Sequence, residues 1–347
     1  MSPSEGDSSG VLTATLSSLI MGYMPARVVH TAAHLGVCDL LADGPKTAAA
    51  LAHATDTSTG PLLRLLRALA SLGLLEDLGC DGFGLTALGS QLRSNAPGSM
   101  RNVALMFGGD RAWRSWGELP HSVKTGESGT RRIYGVGTFE YLAANPDQAV
   151  IFNKAMAENT RRFTQALIAA YDFSQFRKII DVGGGNGALI AAIVAANPDI
   201  RGVVFDLPRG NAEASQNLAD AGVAASCEVI AGDFFRSVPE GADAYILKHI
   251  IHDWDDEQSV AILKNCRDAM HPASKVVLLE RVLPEKMEAT AANLRMAMAD
   301  INMLAMPGGQ ERTTQEYRNL LTEAGLSITQ ILAIPGLDIG VIEAIRA

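Results

Sequence analysis

The chain has 347 residues, 48% of them hydrophobic and 19% charged, with a formal net charge of −9. That length holds two domains, or three small ones, around a substantial core, and the acidic surplus argues against a general nucleic-acid binder, which carries a basic footprint. No apolar run reaches membrane-spanning length. The polar, acidic start is neither a signal nor a transit peptide, and Cys38, Cys80, Cys227 and Cys266 lack the close spacing of a zinc site or disulfide framework, so reduced thiols in a cytoplasmic protein are expected.

The first ten residues are expected to be disordered. From Val11 to about Leu41 apolar residues recur at helical spacing, with Pro25 breaking the run into two helices. From Thr47 the pattern is helix, turn, longer helix and hairpin: Ala48 to Ala54, then Leu62 to Leu72 with Pro61 in its first turn, then two short strands around Gly79 to Gly82. This order is that of a winged helix. Between residues 45 and 95, Lys46, Arg64, Arg67 and Arg93 are balanced by Asp56, Glu76, Asp77 and Asp81. The helix that would enter a DNA groove, Leu62 to Leu72, is almost wholly apolar, so residues 1–95 are expected to form a dimerisation domain rather than a DNA reader.

Residues 96–170 concentrate aromatics, including Phe107, Trp113, Trp116, Phe139, Tyr141, Phe152 and Phe163. They read as a helical linker contributing to a pocket for a flat ligand. A helix from Pro146 to about Ala170 puts Phe152, Met156 and Asn159 on one face, either a pocket wall or a core stripe with Asn159 at its edge. Trp113 is a further pocket candidate.

Residues 171–347 alternate in the α/β manner. Ile179 to Val182, Gly202 to Phe205, Cys227 to Ile230, Ala244 to Leu247 and Lys275 to Leu279 read as strands, and Leu326 to Ile334 with Ile339 to Ile345 as an antiparallel hairpin. The fold class is therefore α/β, a doubly wound sheet with ligands outside the carboxyl ends of its strands. Between the first strand and its helix lie Gly183, Gly184, Gly185 and Gly187, a turn that lets a ligand approach the backbone. Asp181, Asp206, Asp233, His252 and Glu280 fall at or just beyond strand ends.

Two ligands compete for the glycine turn. Gly183-x-Gly185-x-x-Ala188 fits a dinucleotide fingerprint, with Asp206 as the ribose acid, which would make the protein a nicotinamide oxidoreductase. Asp181, two residues before the first glycine, would repel a pyrophosphate. S-adenosyl-L-methionine has no phosphate, and its ammonium and sulfonium are cationic. Asp181 to Gly187, with Asp206 for the ribose hydroxyls and Asp233 for the adenine amino group, is consistent with that donor, which the reading favours.

The chain resembles the class I O-methyltransferases of the caffeate and acetylserotonin type, whose bacterial members methylate aromatic natural products. The resemblance rests on Val182-Gly-Gly-Gly-Asn-Gly187, Phe205-Asp-Leu-Pro208, Gly232-Asp-Phe-Phe235, Leu247-Lys-His-Ile-Ile-His-Asp-Trp254, Leu279-Glu280 and Gly308-Gly-Gln-Glu-Arg-Thr313. It implies His252 as catalytic base flanked by Glu280 and Glu311. It also implies cofactor contacts at Asp181, Gly183, Gly185, Asp206, Leu207, Asp233, Phe234, Lys248 and Trp254, with S-adenosyl-L-homocysteine as product, and a homodimer paired through its N-terminal domains. Asn302, Met303 and Met306, before the Gly308-Gly309 turn, are acceptor-pocket candidates, although the family pattern is one residue longer here. A regulator that keeps the winged helix and binds the donor without turnover is the non-enzyme alternative.

The chemistry of methyl transfer supports these roles. Displacement at a sulfonium needs the oxygen held close and its proton removed. A phenol near pKa 10 facing a histidine near 6.5 is uphill by roughly 5 kcal/mol, which carboxylates beside the imidazolium reduce. His249 reads as structural. His249, His252, Asp253 and Asp255 form only a loose metal-ligand pattern, and no metal is expected.

Overall fold

The computed structural model describes residues 5–347, so the first four of the ten residues expected to be disordered lie outside the described residues. The remainder of that stretch is helical, because a helix runs Glu5–Ile20. A second follows at Tyr23–Leu35, with the break at Met21–Gly22 and Pro25 inside the first turn, where its missing N–H costs little. The chain divides into two compact units, one ending at Asp110 and the other spanning Arg111–Ala347.

The first unit contains the winged helix. Helices Ala48–Ala54 and Thr59–Ser71 precede the strands Leu75–Gly79 and Gly82–Leu85, and Lys46–Thr47 adds a third strand beside Gly82–Leu85. Leu62, Leu66 and Leu69, one helical stripe, are buried against Leu51, Leu75 and Phe83. Val11, Leu12, Leu16 and Leu19 of the first helix are all more than half exposed.

The second unit is built on a seven-stranded sheet: β1 (Lys178–Val182), β2 (Arg201–Asp206), β3 (Cys227–Ala231), β4 (Ala244–Lys248), β5 (Lys275–Glu280), β6 (Leu326–Ala333) and β7 (Gly340–Arg346). Its order is β6-β7-β5-β4-β1-β2-β3, with β1 to β5 parallel and β7 antiparallel to both β5 and β6. This is the doubly wound class I methyltransferase sheet with its C-terminal antiparallel hairpin. Both faces are covered, so the central strands are apolar throughout. Alternation sorts their side chains: Ile180, Val203, Tyr245 and Leu278 enter one core cluster, while Ile179, Val204, Ile246 and Val277 enter the other. Helix Asp256–Ala269 packs on the first face through Ile262 and Leu263, and helix Ala188–Ala196 on the second through Ile190 and Ile193. The order turns back between β1 and β4, and the carboxyl ends there open the crevice in which the site lies.

Candidate active site

At the end of β1 the chain turns through four glycines before helix Ala188–Ala196 begins. Gly183, Gly185 and Gly187 have φ of +72°, +54° and +76°, which the left-handed region reserves largely for glycine. Gly183 needs space as well, since a Cβ there would stand 2.4 Å from Ile250 Cδ1. The turn is tied to the neighbouring strand: Gly183 N–H donates to Phe205 O at 2.8 Å, and Gly185 N–H to Asp206 Oδ2 at 2.8 Å. Leu207 N–H binds the other oxygen of Asp206 at 2.6 Å, and Phe235 N–H binds Asp233 Oδ1 at 2.9 Å. Backbone donors therefore fix both strand-end acids.

These residues border a cavity of about 500 Å³. Its walls include Asp181, Gly183, Gly185, Asp206, Leu207, Asp233, Phe234, Lys248 and Trp254, together with Phe152 and Met156. Charged walls comprise five acids (Glu140, Asp181, Asp206, Asp233, Asp253) and two bases (Arg209, Lys248). Asp181 is buried, and its Oδ2 has no hydrogen-bond partner. Burial pushes the carboxyls of Asp181 and Asp253 up, while Lys248 pulls both back toward ionisation. A bound cation would act in the same sense as Lys248, whereas a pyrophosphate would meet Asp181, Asp206 and Asp233 at or just beyond the ends of β1, β2 and β3. The residues fit a sulfonium donor.

The opposite wall comes from helix Pro146–Ala170, through Phe152, Asn153, Met156, Ala157 and Thr160. Thr160 Oγ1 accepts from Lys248 Nζ at 2.7 Å, and Lys248 lies 5.4 Å from the Phe163 ring centroid. Phe139 stacks on Trp254 at 5.5 Å. Several expected acceptor residues do not border this cavity. Asn159 is not among its walls, and its Oδ1 lies 3.4 Å from Arg162 Nη2. Asn302 instead accepts from Trp116 Nε1 at 3.1 Å, and Met306 packs with Ala112, Trp116 and Leu119. Met303 uses its carbonyl to receive Gly308 N–H at 2.8 Å. Trp113 is 43% exposed on the helix that carries Trp116.

His252 lies on the short 3-10 turn Ile251–Asp253 that follows β4. Glu280, the last residue of β5, holds that turn by accepting Ile250 N–H and Ile251 N–H at 2.9 and 2.8 Å. Its other oxygen stands 3.1 Å from His252 Nδ1. Glu311 Oε1 is 3.3 Å from the same nitrogen and receives Arg281 Nη1 at 2.8 Å. The Gly308-Gly309 turn brings Glu311 there: a Cβ on Gly309 would lie 2.0 Å from His252 O, and Gln310 N–H donates to that oxygen at 2.9 Å. Arg312, fully buried, donates to Ile251 O at 3.0 Å and Trp254 O at 2.8 Å.

Burial disfavours the charged imidazole, but Glu280, Glu311 and Asp253 outweigh it and hold the His252 pKa well above 6.5. Burial likewise opposes ionisation of Glu311, and His252 with Arg281 reverses this, so its carboxyl stays low. His252 is 6% exposed and does not itself border the cavity; His249 and Asp253, on either side of it, do. Sequence reasoning missed Arg281, Arg312 and the cavity position of His249. Only the Arg in Gln310-Glu-Arg312 and the doubled His of Lys248-His-Ile-Ile-His252 could have signalled them. The His249, His252, Asp253 and Asp255 grouping is not the one the fold assembles. Among the described residues the possible ligand atoms that converge, within 4.8 Å, are those of His252, Glu280 and Glu311, where Arg281 already neutralises Glu311.

The O-methyltransferase domain family matches residues 116–327, and the O-methyltransferase dimerisation domain matches residues 17–95. The chain belongs to the S-adenosylmethionine-dependent O-methyltransferases. It is 40% identical over 321 residues to a phenazine O-methyltransferase of Lysobacter antibioticus, covering 92% of this chain and 93% of that one. A mitomycin 7-O-methyltransferase structure superposes with a TM-score of 0.91 at 35% identity, covering 99% of this chain and 100% of the other. An O-methyltransferase from neocarzinostatin biosynthesis, crystallised with S-adenosylmethionine and 2-hydroxy-5-methyl naphthoic acid, gives 0.80 at 31% identity, with 93% and 96% covered. The methyl donor of this enzyme is S-adenosylmethionine. No helix among the described residues is long and apolar enough to cross a membrane.

Proposed function

We propose that this O-methyltransferase methylates a hydroxyl of an aromatic natural product, with His252 as the general base. The observation that carries the reading is the imidazole clasped at Nδ1 by Glu280 and Glu311, 3.1 and 3.3 Å away, directly behind the cavity wall. With Glu280 and Glu311 gathered on the Nδ1 side and Asp253 Oδ1 no nearer than 3.6 Å to Nε2, Nε2 is the nitrogen left for the acceptor's proton. S-adenosylmethionine, when bound, supplies a methyl group on a positively charged sulfur. Asp206 and Asp233 would bind its ribose and adenine, and Asp181, Gly183, Gly185, Leu207, Phe234, Lys248 and Trp254 would surround the remainder. Phe139, Phe152 and Met156 form an apolar wall suited to a flat ring, and the relatives named above act on phenazine, mitomycin and naphthoate compounds.

A histidine whose pKa is raised is a stronger base, which narrows its gap to a phenol. It must also be neutral to act, so turnover on an ordinary phenol rises with pH through a value well above 6.5. The exposed apolar residues of helix Glu5–Ile20 support pairing of two copies through the N-terminal domain, residues 1–95, with 96–170 serving the acceptor and 171–347 the donor. Incubation with methyl-labelled S-adenosylmethionine and a panel of phenols, hydroxyquinones and hydroxyphenazines tests the activity. Label in an O-methyl product is expected, and transfer to none of them would falsify the aromatic-hydroxyl assignment.

A further inference from the structure

A second histidine stands three residues before His252, and the base mechanism leaves it unused. His249 borders the cavity, its ring centroid 5.0 Å from that of His252 and 6.1 Å from that of Phe163. Its φ is +54°, a left-handed conformation that few residues other than Gly, Asn, Asp and His adopt and that is found at working sites. The main chain is held there by His249 N–H donating to Leu279 O at 3.1 Å. Among the described residues the ring has no hydrogen-bond partner: Nε2 is sealed from solvent without a hydrogen bond, and no bond is made at Nδ1. A buried polar atom in a native fold is normally satisfied; this half-buried ring lacks that at Nε2 and borders the cavity, which points to a ligand there.

The two imidazoles differ in charge as well as in position. Burial first, then the neighbouring cations Lys248, His252 and Arg281, keep His249 well below 6.5 and therefore neutral. A neutral imidazole carries one N–H and one lone pair. It can donate a hydrogen bond to an oxygen without surrendering its proton, which leaves that oxygen nucleophilic.

We propose that His249 is an acceptor-orienting residue, its Nδ1–H donating to the hydroxyl oxygen of the aromatic acceptor so that the O–H points at His252. The assignment rests on the aromatic-hydroxyl reading above. His249 transfers no proton; it fixes the direction of the oxygen and shares its negative charge as His252 takes the proton.

The test titrates 1-hydroxyphenazine and phenazine, which differ only in the hydroxyl, into the full-length protein saturated with S-adenosylhomocysteine. His249→Gly removes the ring and suits the positive φ; His249→Asn keeps a donor and tolerates the same backbone. The preference of the wild type for the hydroxylated probe is expected to shrink about five- to tenfold in His249→Gly, the share of one hydrogen bond, and to stay within about twofold in His249→Asn. Nitrogen-15 spectra of the imidazoles are expected to show His249 protonated at Nδ1 before any acceptor is added. An unchanged preference in His249→Gly, equal weakening for both probes, or a bare Nδ1 overturns the assignment. A wild type that transfers label to no member of the panel fails at the reading beneath, before any variant is compared; one that binds neither probe but methylates another member is compared on that acceptor and its analogue without the hydroxyl.

Discussion

The two ends of the catalytic constellation are built from different materials. The end proposed for the donor is organised by main chain: a glycine turn and the N–H groups that hold two acids, with Gly185 bonded to the Asp206 carboxylate across adjacent strands. The cluster proposed to hold the base is side chain: His252, Glu280 and Glu311 arrive from a turn after β4, the end of β5 and a loop before β6, and meet at one nitrogen. A main-chain site is damaged by adding an atom, a side-chain site by removing one. The comparison therefore predicts opposite sensitivities, with Gly309 as the place where the two kinds meet.

Removing the base is the largest expected effect. His252→Ala lowers turnover on an ordinary phenol by roughly 10²-fold or more, within the range for loss of a general base, while calorimetric affinity for S-adenosylmethionine is unchanged. A near wild-type rate on such a phenol sinks the role given to His252. Gly309→Ala comes next. Its Cβ would meet main-chain atoms, His252 O at 2.0 Å and Trp254 N at 2.7 Å, which cannot swing aside. It is expected to cost about 1–3 kcal/mol of stability in denaturant titration and to reduce turnover, because the displaced turn carries His252. Equal stability and activity in this variant would dissolve the link between the glycine pair and the base.

Gly183→Ala tests the donor end. The positive φ and the 2.4 Å approach to Ile250 Cδ1 both oppose the change, but the neighbour is the tip of a flexible side chain. A loss of about 1–2 kcal/mol is expected, together with weaker donor binding and little change in turnover at saturation; the reverse pattern would mean that the turn serves chemistry rather than binding. The smallest effect is a displacement along the pH axis. Glu311→Gln deletes one carboxylate that raises the His252 pKa, so the alkaline rise in kcat/KM moves to lower pH, measurable as a shifted limb. No shift would detach Glu311 from the base.

The same raised pKa acts on stability with the opposite sign. His252 gains its partners only in the fold, so its contribution is fully present below the unfolded pKa near 6.5 and is lost as pH rises through the folded value. Conditions that deprotonate His252 thus relax the loop that carries it. This follows from burying one imidazole against Glu280 and Glu311 instead of leaving it in solvent.

Sequence by itself determined whatever is local along the chain. The strand, glycine turn and helix from Lys178 to Ala196 read as they fold because a short apolar run, positive φ and helix start all act within a few residues. The winged helix, the seven strands and the acids at their ends were legible for the same reason, as was Glu311 through the motif that surrounds it. Tertiary structure alone decided which way side chains face once distant segments pack. It turned Asn159 toward Arg162, set Asn302 on Trp116, and paired Arg281 with Glu311. It also divided two histidines three residues apart. A left-handed residue after β4 leaves His249 on the cavity and sends His252 into the carboxylates, and that direction depends on β5 and on the Gly308-Gly309 loop, neither of which is near in sequence.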